Sequence, residues 1–451
     1  MSRHIVIIGN GVAGVTAARF IRKFSDDAIT IISGETRHFY ARTALMYLYM
    51  GHLRYRDLKP YEDWFWPKNR IGLIQDTVCE IDTDMRTLRL QNGKAIQYDV
   101  LLIATGSRPR KLGCPGETLP GVQSLYGVHD LELLEANTKR ARRAVVVGGG
   151  LIGIELAEML HSRGIPVTFL VREPGYMSHV LSPEESEMIH EVILGHGIDL
   201  RLNTELAAIL PGADGRVHAV VTTAGEEIPC DVVGLTVGVE PNIEVVRSSK
   251  IETSTGVLVN EFFETNIPGV YAVGDCAEFC QEGIGHRTIE QLWYTARLHG
   301  KCVAHTICGI RTPYTPGVYF NSAKFFDLEY QTYSTMPPLL EPGGQTLFWK
   351  DPRARRSVRI NYWQEGGAVL GFSVFGVRFR QEVCVRWINE QRTIDYVLHH
   401  LHEANFDPEF SRRFERDVRH MYSGERNSVM ERGQEEERSI ISRLLAPFQV
   451  R

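Results

Sequence analysis

Two glycine fingerprints constrain this chain more than any other feature. The first is HIVIIGNGVAG, an apolar run from His4 to Ile8 that ends in Gly9, Gly11 and Gly14. The second is AVVVGGGLIG, a strand-like run from Ala144 to Val147 that ends in Gly148, Gly150 and Gly153. Each is followed by a helical pattern and then by a second apolar run. In such a unit the first glycine makes a tight turn. The second lets the backbone approach a pyrophosphate, and the third lets helix and strand pack closely. The helix N-terminus offers unpaired N–H groups to the phosphates. A chain with two such units is built to hold two dinucleotides.

The run AITIISGE ends in Glu35, an acid placed to accept hydrogen bonds from a ribose. After the second unit, PVTFLV leads to Val171, Arg172 and Glu173. Arg172 suits the 2′-phosphate of NADP, whereas Glu173 suits NAD, and the two readings stand side by side. YDVLLIATGSRP places Thr105 and Gly106 at a strand's end. CDVVGLTVGVEPN repeats that design with Gly238, and ETNIPGVYAVGDCAEF ends a strand in Gly274 and Asp275. A carboxylate at such a strand end can bind a polyol hydroxyl.

With 451 residues, 43% of them hydrophobic, the chain has the length for two or three domains. A net charge of −5 gives no footprint for nucleic acid. No run is long and apolar enough to suggest a spanning helix. The N-terminus reads directly as strand and turn instead of a secretory leader. Eight scattered cysteines form no C-x-x-C, suggest no metal site and fit a reducing cytoplasm. Cys276 and Cys280 read as small buried side chains on a turn.

The order of these motifs resembles the FAD-dependent pyridine nucleotide oxidoreductases with two dinucleotide-binding domains, over about Arg3 to Gly309. The resemblance implies an α/β fold with two Rossmann-like domains, the NAD(P)H domain inserted in the FAD domain. It also implies a C-terminal α+β domain of interface type, common in homodimers. The boundaries expected are 1–113 and 249–316 for FAD, 114–248 for NAD(P)H, 317–404 for the interface-like domain and 405–451 for a charged helical tail. Gly9, Gly11, Gly14, Glu35, Arg42, Thr105, Gly106, Gly274 and Asp275 would then serve FAD. Gly148, Gly150, Gly153, Arg172 and Gly238 would serve the nicotinamide dinucleotide.

Members of this superfamily that pass electrons through a dithiol carry cysteines soon after the first unit or in the second. FYARTALMYLYMG, Phe39 to Gly51, has none. It is similar instead to the Y-x-R-x-x-L-x-K segment of the branch of rubredoxin reductases, ferredoxin reductases and apoptosis-inducing factor. Tyr40, Arg42 and Leu45 match, and Tyr47 stands where that branch often has Lys. In the branch the Lys pairs with a Glu, present here as Glu155. Tyr47 is therefore expected to donate a hydrogen bond to Glu155 or to the flavin. Glu155 is expected in the first turn of its helix, near the nicotinamide. WYTARLHG is similar to the family helix beside the flavin ring, so Glu290 and Trp293 are expected at the flavin edge.

The function so implied is hydride transfer from NAD(P)H to FAD, then electron delivery to a small ferredoxin- or rubredoxin-type carrier. A quinone reductase on a membrane surface and a redox-sensing flavoprotein acting through a partner are the alternatives. Trp64 and Trp66 are expected on one face of an extended segment, where they either pack, the simpler reading, or cover the flavin. Alternating segments at Thr346–Trp349, Ser357–Tyr362 and Val369–Phe375 read as antiparallel strands, and Phe379–Ile388 and Thr393–Ala404 as helices. In the tail, Ile440, Ile441, Leu444 and Leu445 share a helical stripe that needs a cover.

Overall fold

The computed structural model describes residues 2–409 and 413–423. Two compact units emerge. One runs from the N-terminus through Ser178 and resumes at Ile189–Gly317. The other joins His179–Met188 to the chain from Val318 onward.

The first unit holds two five-stranded parallel sheets. In one, the order is Val270–Ala272, Val100–Ile103, His4–Ile8, Ala28–Ser33, Ile71–Gln75. In the other it is Asp199–Arg201, Val167–Leu170, Ala144–Val147, Val232–Leu235, Val122–Gln123. Each fingerprint strand lies in the middle of its sheet. This follows from sequence: Ile5, Val6, Ile7, Val145 and Val146 have no polar face to offer water and are buried on both sides. The first sheet takes Val270–Ala272 after the whole second sheet has been laid down, so the second Rossmann-like element is an insertion in the first. The two connections run together as an antiparallel pair, Ser107–Pro109 with Val239–Pro241.

Helices follow each fingerprint, Val12–Phe24 and Leu151–Ser162. The helix Trp293–Ile307 lies against the first of them. Their contact is close because Gly300 has no side chain: a Cβ there would lie 2.4 Å from the Ala13 carbonyl oxygen.

The second unit is a five-stranded antiparallel sheet, ordered Phe320–Phe325, Leu328–Tyr333, Val369–Phe375, Ser357–Trp363, Gly344–Lys350. Helices Gln381–Asn389 and Ile394–Ala404 bury Trp387, Val397 and Leu401 with Leu347, Val358 and Phe372. The Thr393 side chain caps the second helix by accepting from the Tyr396 N–H. The strands and helices expected in this region are therefore present, with ends shifted by a residue or two. Period-two spacing also puts Ser357, Arg359 and Asn361 on a common face. Arg359 there forms a buried ion pair with Glu185 at 3.0 Å, which gives His179–Met188 its place in this unit.

One expectation fails locally. Phe65–Lys68 is a helical turn and not an extended segment, so Trp64 and Trp66 do not share a face. Trp64 is 59% exposed and Trp66 only 2%. Cys280 also differs from expectation: it is exposed, whereas Cys276 is buried. The Ile440–Leu445 stripe lies outside the described residues.

Candidate functional site: two dinucleotide cradles

The two fingerprints have the same stereochemistry. Gly9 has φ 109° and Gly148 has φ 113°, backbone that side chains disfavour. A Cβ at Gly9 would lie 2.1 Å from the Ala104 carbonyl oxygen, and one at Gly148 would lie 2.4 Å from that of Thr236. Gly14 and Gly153 press on the carbonyls of Gly9 and Gly148, at 2.3 and 2.1 Å from a notional Cβ. Gly11 and Gly150 are different. A Cβ at either meets nothing within 4 Å. The middle glycines are thus not required by the protein's own packing. They keep clear the space in front of a helix N-terminus, where a pyrophosphate fits. The donor geometry of both cradles accordingly suits a dinucleotide each.

Around the first cradle, Glu35 sits two residues past its strand. It accepts from the Tyr40 hydroxyl at 2.6 Å, the Val128 N–H at 2.8 Å and Arg42 Nη2 at 2.7 Å. Burial works against its charge, but Arg42, Tyr40 and Val128 together hold it below the usual carboxylate range. Gly127 is required beside it, since a Cβ would come within 2.4 Å of Glu35 Oε1. Glu35 therefore organises Arg42 and the 126–128 turn. Arg42 also donates to the Tyr126 carbonyl at 2.8 Å and lies over the Tyr126 ring.

At the strand ends, the Thr105 hydroxyl donates to the Asn242 carbonyl at 2.6 Å and ties the two connections together. Gly106 and Gly238 take left-handed φ values of 69° and 99°. Asp275 follows Gly274, whose φ is 72°. The Ser107 hydroxyl donates to Asp275 Oδ2 at 2.9 Å, and Gln291 donates to Ser107 Oγ at the same distance. Burial pushes the Asp275 carboxyl above its ordinary range.

Glu290, expected at the flavin edge, is held by donors from its own unit. Its Oε1 accepts the His286 N–H at 2.9 Å; its Oε2 accepts from His299 at 2.9 Å and from the Tyr314 hydroxyl at 2.8 Å. The side chain is buried and its acceptors are engaged within the protein. Trp293 opens its helix and stacks on Phe39, with centroids 5.9 Å apart.

Tyr47 and Glu155 are not hydrogen-bonded to each other among the described residues. The short helix Leu45–Tyr49 does pack near Leu151–Ser162, but it is anchored by Tyr49. The Tyr49 hydroxyl donates to Thr138 at 2.9 Å, and Arg163 donates to the Tyr49 carbonyl at 3.1 Å from Nε. The Tyr47 ring lies beside His52. Glu155 is the fifth residue of its helix, just past the first turn in which it was expected. The helix dipole acts mainly within the first turn and so does little for its charge. Burial, then repulsion from Glu158, pushes its carboxyl up to about 7. Beside it the Tyr176 hydroxyl donates to the Gly150 carbonyl at 2.9 Å. Arg172 is exposed and paired with Glu173 at 2.7 Å.

Ser107, Tyr126, Tyr176 and His299 escaped the sequence reading. Ser107 lies within YDVLLIATGSRP, where only its neighbours Thr105 and Gly106 were singled out, and Tyr126 and Tyr176 stand in loops without a motif. The last is a histidine on the buried face of Trp293–Ile307, a position that alone signals only packing.

Residues 3–300 match the family model described as pyridine nucleotide-disulphide oxidoreductase. Rubredoxin-NAD(+) reductase of Ectopseudomonas oleovorans is 30% identical over 72% of this chain and 85% of its own length. Rhodocoxin reductase of Rhodococcus erythropolis is 32% identical over 71% and 76%. The match to the nitrite reductase [NAD(P)H] of Bacillus subtilis, at 32% identity, spans 72% of this chain but 40% of that protein. Among solved structures, the ferredoxin reductase for the CYP199A2 system from Rhodopseudomonas palustris superposes with a TM-score of 0.75. It is 29% identical and covers 83% of this chain and 91% of its own. With its two glycine cradles, one inserted within the other, the chain belongs to the pyridine nucleotide-disulphide oxidoreductase family.

Proposed function

We propose that this chain is an NAD(P)H-dependent FAD oxidoreductase that delivers electrons to a small one-electron carrier of ferredoxin or rubredoxin type. The observation that carries this reading is the pair of open glycines, Gly11 and Gly150, in a chain whose Phe39–Gly51 stretch has no cysteine. Relatives named for rubredoxin and rhodocoxin support the class of acceptor. FAD, when bound, takes up a hydride equivalent from the nicotinamide and releases the electrons singly.

The protein's part is placement. Gly9, Gly11 and Gly14, with the N-terminus of Val12–Phe24, would hold the FAD pyrophosphate, and Glu35 and Asp275 would fix its hydroxyls. Gly148, Gly150 and Gly153 would hold the nicotinamide dinucleotide, with Arg172 or Glu173 at its ribose. Tyr47, Glu155 and Trp293 would surround the reacting rings and exclude water from them. In domain terms, residues 1–113 and 249–316 serve FAD, 114–248 serve NAD(P)H and 317–404 form the interface-like part of a homodimer. Free thiols at all eight cysteines favour a reducing compartment such as the cytoplasm. No helix among the described residues is long and apolar enough to cross a membrane.

Gly11→Val and Gly150→Val test this. Both positions have φ values open to a side chain, −70° and −100°, so both variants should fold. Gly11→Val should purify colourless. Gly150→Val should stay yellow, be bleached by dithionite and resist NAD(P)H. A fully yellow Gly11→Val protein, or a Gly150→Val protein bleached by NAD(P)H at the normal rate, overturns the assignment.

A further inference from the structure

We infer that His299 is a positioning residue for the FAD site: it clamps the Gly274 turn and so aims Asp275. The inference rests on the reading that Asp275 contacts FAD. His299 is 1% exposed and boxed by Phe263, Phe279 and Tyr314, with ring centroids 4.7 to 5.7 Å from its own. A buried imidazole in an aromatic box needs partners for both nitrogens. It has them. Gly274 N–H donates to Nδ1 at 3.2 Å, so Nδ1 carries no proton. Nε2 then carries the hydrogen and donates to Glu290 Oε2 at 2.9 Å.

Glu290 is locked in turn by the Tyr314 hydroxyl and the His286 N–H. The chain of contacts is therefore Tyr314 and His286 to Glu290, Glu290 to His299, His299 to the Gly274 amide. At the end of it stands a turn that needs holding. Gly274 has φ 72°, and a Cβ there would sit 2.9 Å from the Ala13 Cβ of the first fingerprint helix. Asp275 is the next residue. Its carboxylate is oriented from the other side by the Ser107 hydroxyl, and Ser107 is oriented by Gln291 and by its own N–H on the Tyr126 hydroxyl. His299 supplies the backbone half of that orientation.

The roles of the two nitrogens can be separated. Asparagine places its carbonyl oxygen where Nδ1 lies and keeps an acceptor for the Gly274 amide. Phenylalanine keeps the ring volume and removes both contacts. In titrations of apoprotein with FAD, His299→Phe should raise Kd about 10–100-fold, and His299→Asn should recover to within about 5-fold of wild type. NAD(P)+ affinity, read in the same preparations, should not move, which a general loss of structure would not allow. Tyr314→Phe removes one donor from Glu290 without changing volume and should show the same effect at about 3-fold, so the test survives if His299→Phe fails to fold. Wild-type FAD affinity in His299→Phe, or in Tyr314→Phe where the former is not obtained, overturns the inference. So does an Asn variant as weak as the Phe variant. Asp275→Ala is the separate control. If it binds FAD as wild type does, the assignment of Asp275 to FAD is at fault, and the clamp falls with it.

Discussion

Replacing Glu155 by glutamine should stabilise this protein at alkaline pH and leave it unchanged in acid. The folded protein pushes this carboxyl from about 4.5 to about 7, first by burial and then by the nearby Glu158. The folded state thus binds the proton more tightly than the unfolded chain. The stability tied to that proton is complete below about pH 4.5 and is lost as pH rises through 7. A full shift of this size corresponds to about 3 kcal/mol at about 1.4 kcal/mol per unit. Glu155 is only half-buried, so solvent screening reduces this to about 1–2 kcal/mol. Glu155→Gln removes the titration and keeps the shape. Melting curves from pH 4 to 9 should therefore coincide for the two proteins at the acid end. At pH 8 the variant should melt about 1–3 °C higher. The rate of flavin bleaching by NAD(P)H in wild type should show an inflection near 7, absent in Glu155→Gln. Parallel melting curves across the whole range, with both proteins losing stability equally towards pH 8, would refute the reasoning. Because among the described residues no hydrogen bond joins Tyr47 to Glu155 and none links them through a common partner, Tyr47→Phe combined with Glu155→Gln should be additive within about 0.5 kcal/mol in transition-state terms. Coupling beyond that would restore the direct contact that the sequence suggested.

Further outcomes follow from the same geometry. Arg172→Ala should raise KM for NADPH about 5–30-fold and leave NADH nearly unchanged; the range is modest because the guanidinium is exposed and shared with Glu173. Equal effects on both coenzymes would make Arg172 a surface charge. Dithionite titration of the holoprotein should consume one two-electron equivalent per FAD, since all eight cysteines are free, and a second equivalent would reveal a disulfide. Gly9→Ala should cost about 3 kcal/mol or more, because its Cβ combines φ 109° with a 2.1 Å approach to the Ala104 carbonyl oxygen. Urea midpoints compared with Gly11→Val would check this, and equal midpoints would contradict the division between packing and cradle glycines.

The glycines of this chain were legible from sequence and its carboxylates were not, and the reason is physical. A fingerprint glycine answers to local constraints: a positive φ, the carbonyl of the neighbouring strand, the closeness of its own helix. Those constraints are fixed within a single βαβ unit, so spacing along the chain suffices to identify them. A carboxylate answers to whichever donors the tertiary fold brings to it. Glu35 read correctly as an acid at a strand end, yet its N–H partner Val128 lies 93 positions away. Asp275 takes its hydroxyl partner from Ser107, 168 positions earlier. Glu290 was read by resemblance alone, without the His299 and Tyr314 donors that decide where its oxygens point. Glu155 was expected to gain from a helix end and instead lies just past the first turn, with Glu158 beside it. Glu185 reads as an ordinary acid in the first turn of a helix, yet it is buried against Arg359. The same residue type thus serves as a turn organiser, a clamp, a proton-holding group and half of a buried ion pair. What separates these roles is the supply of donors and of water around each carboxylate.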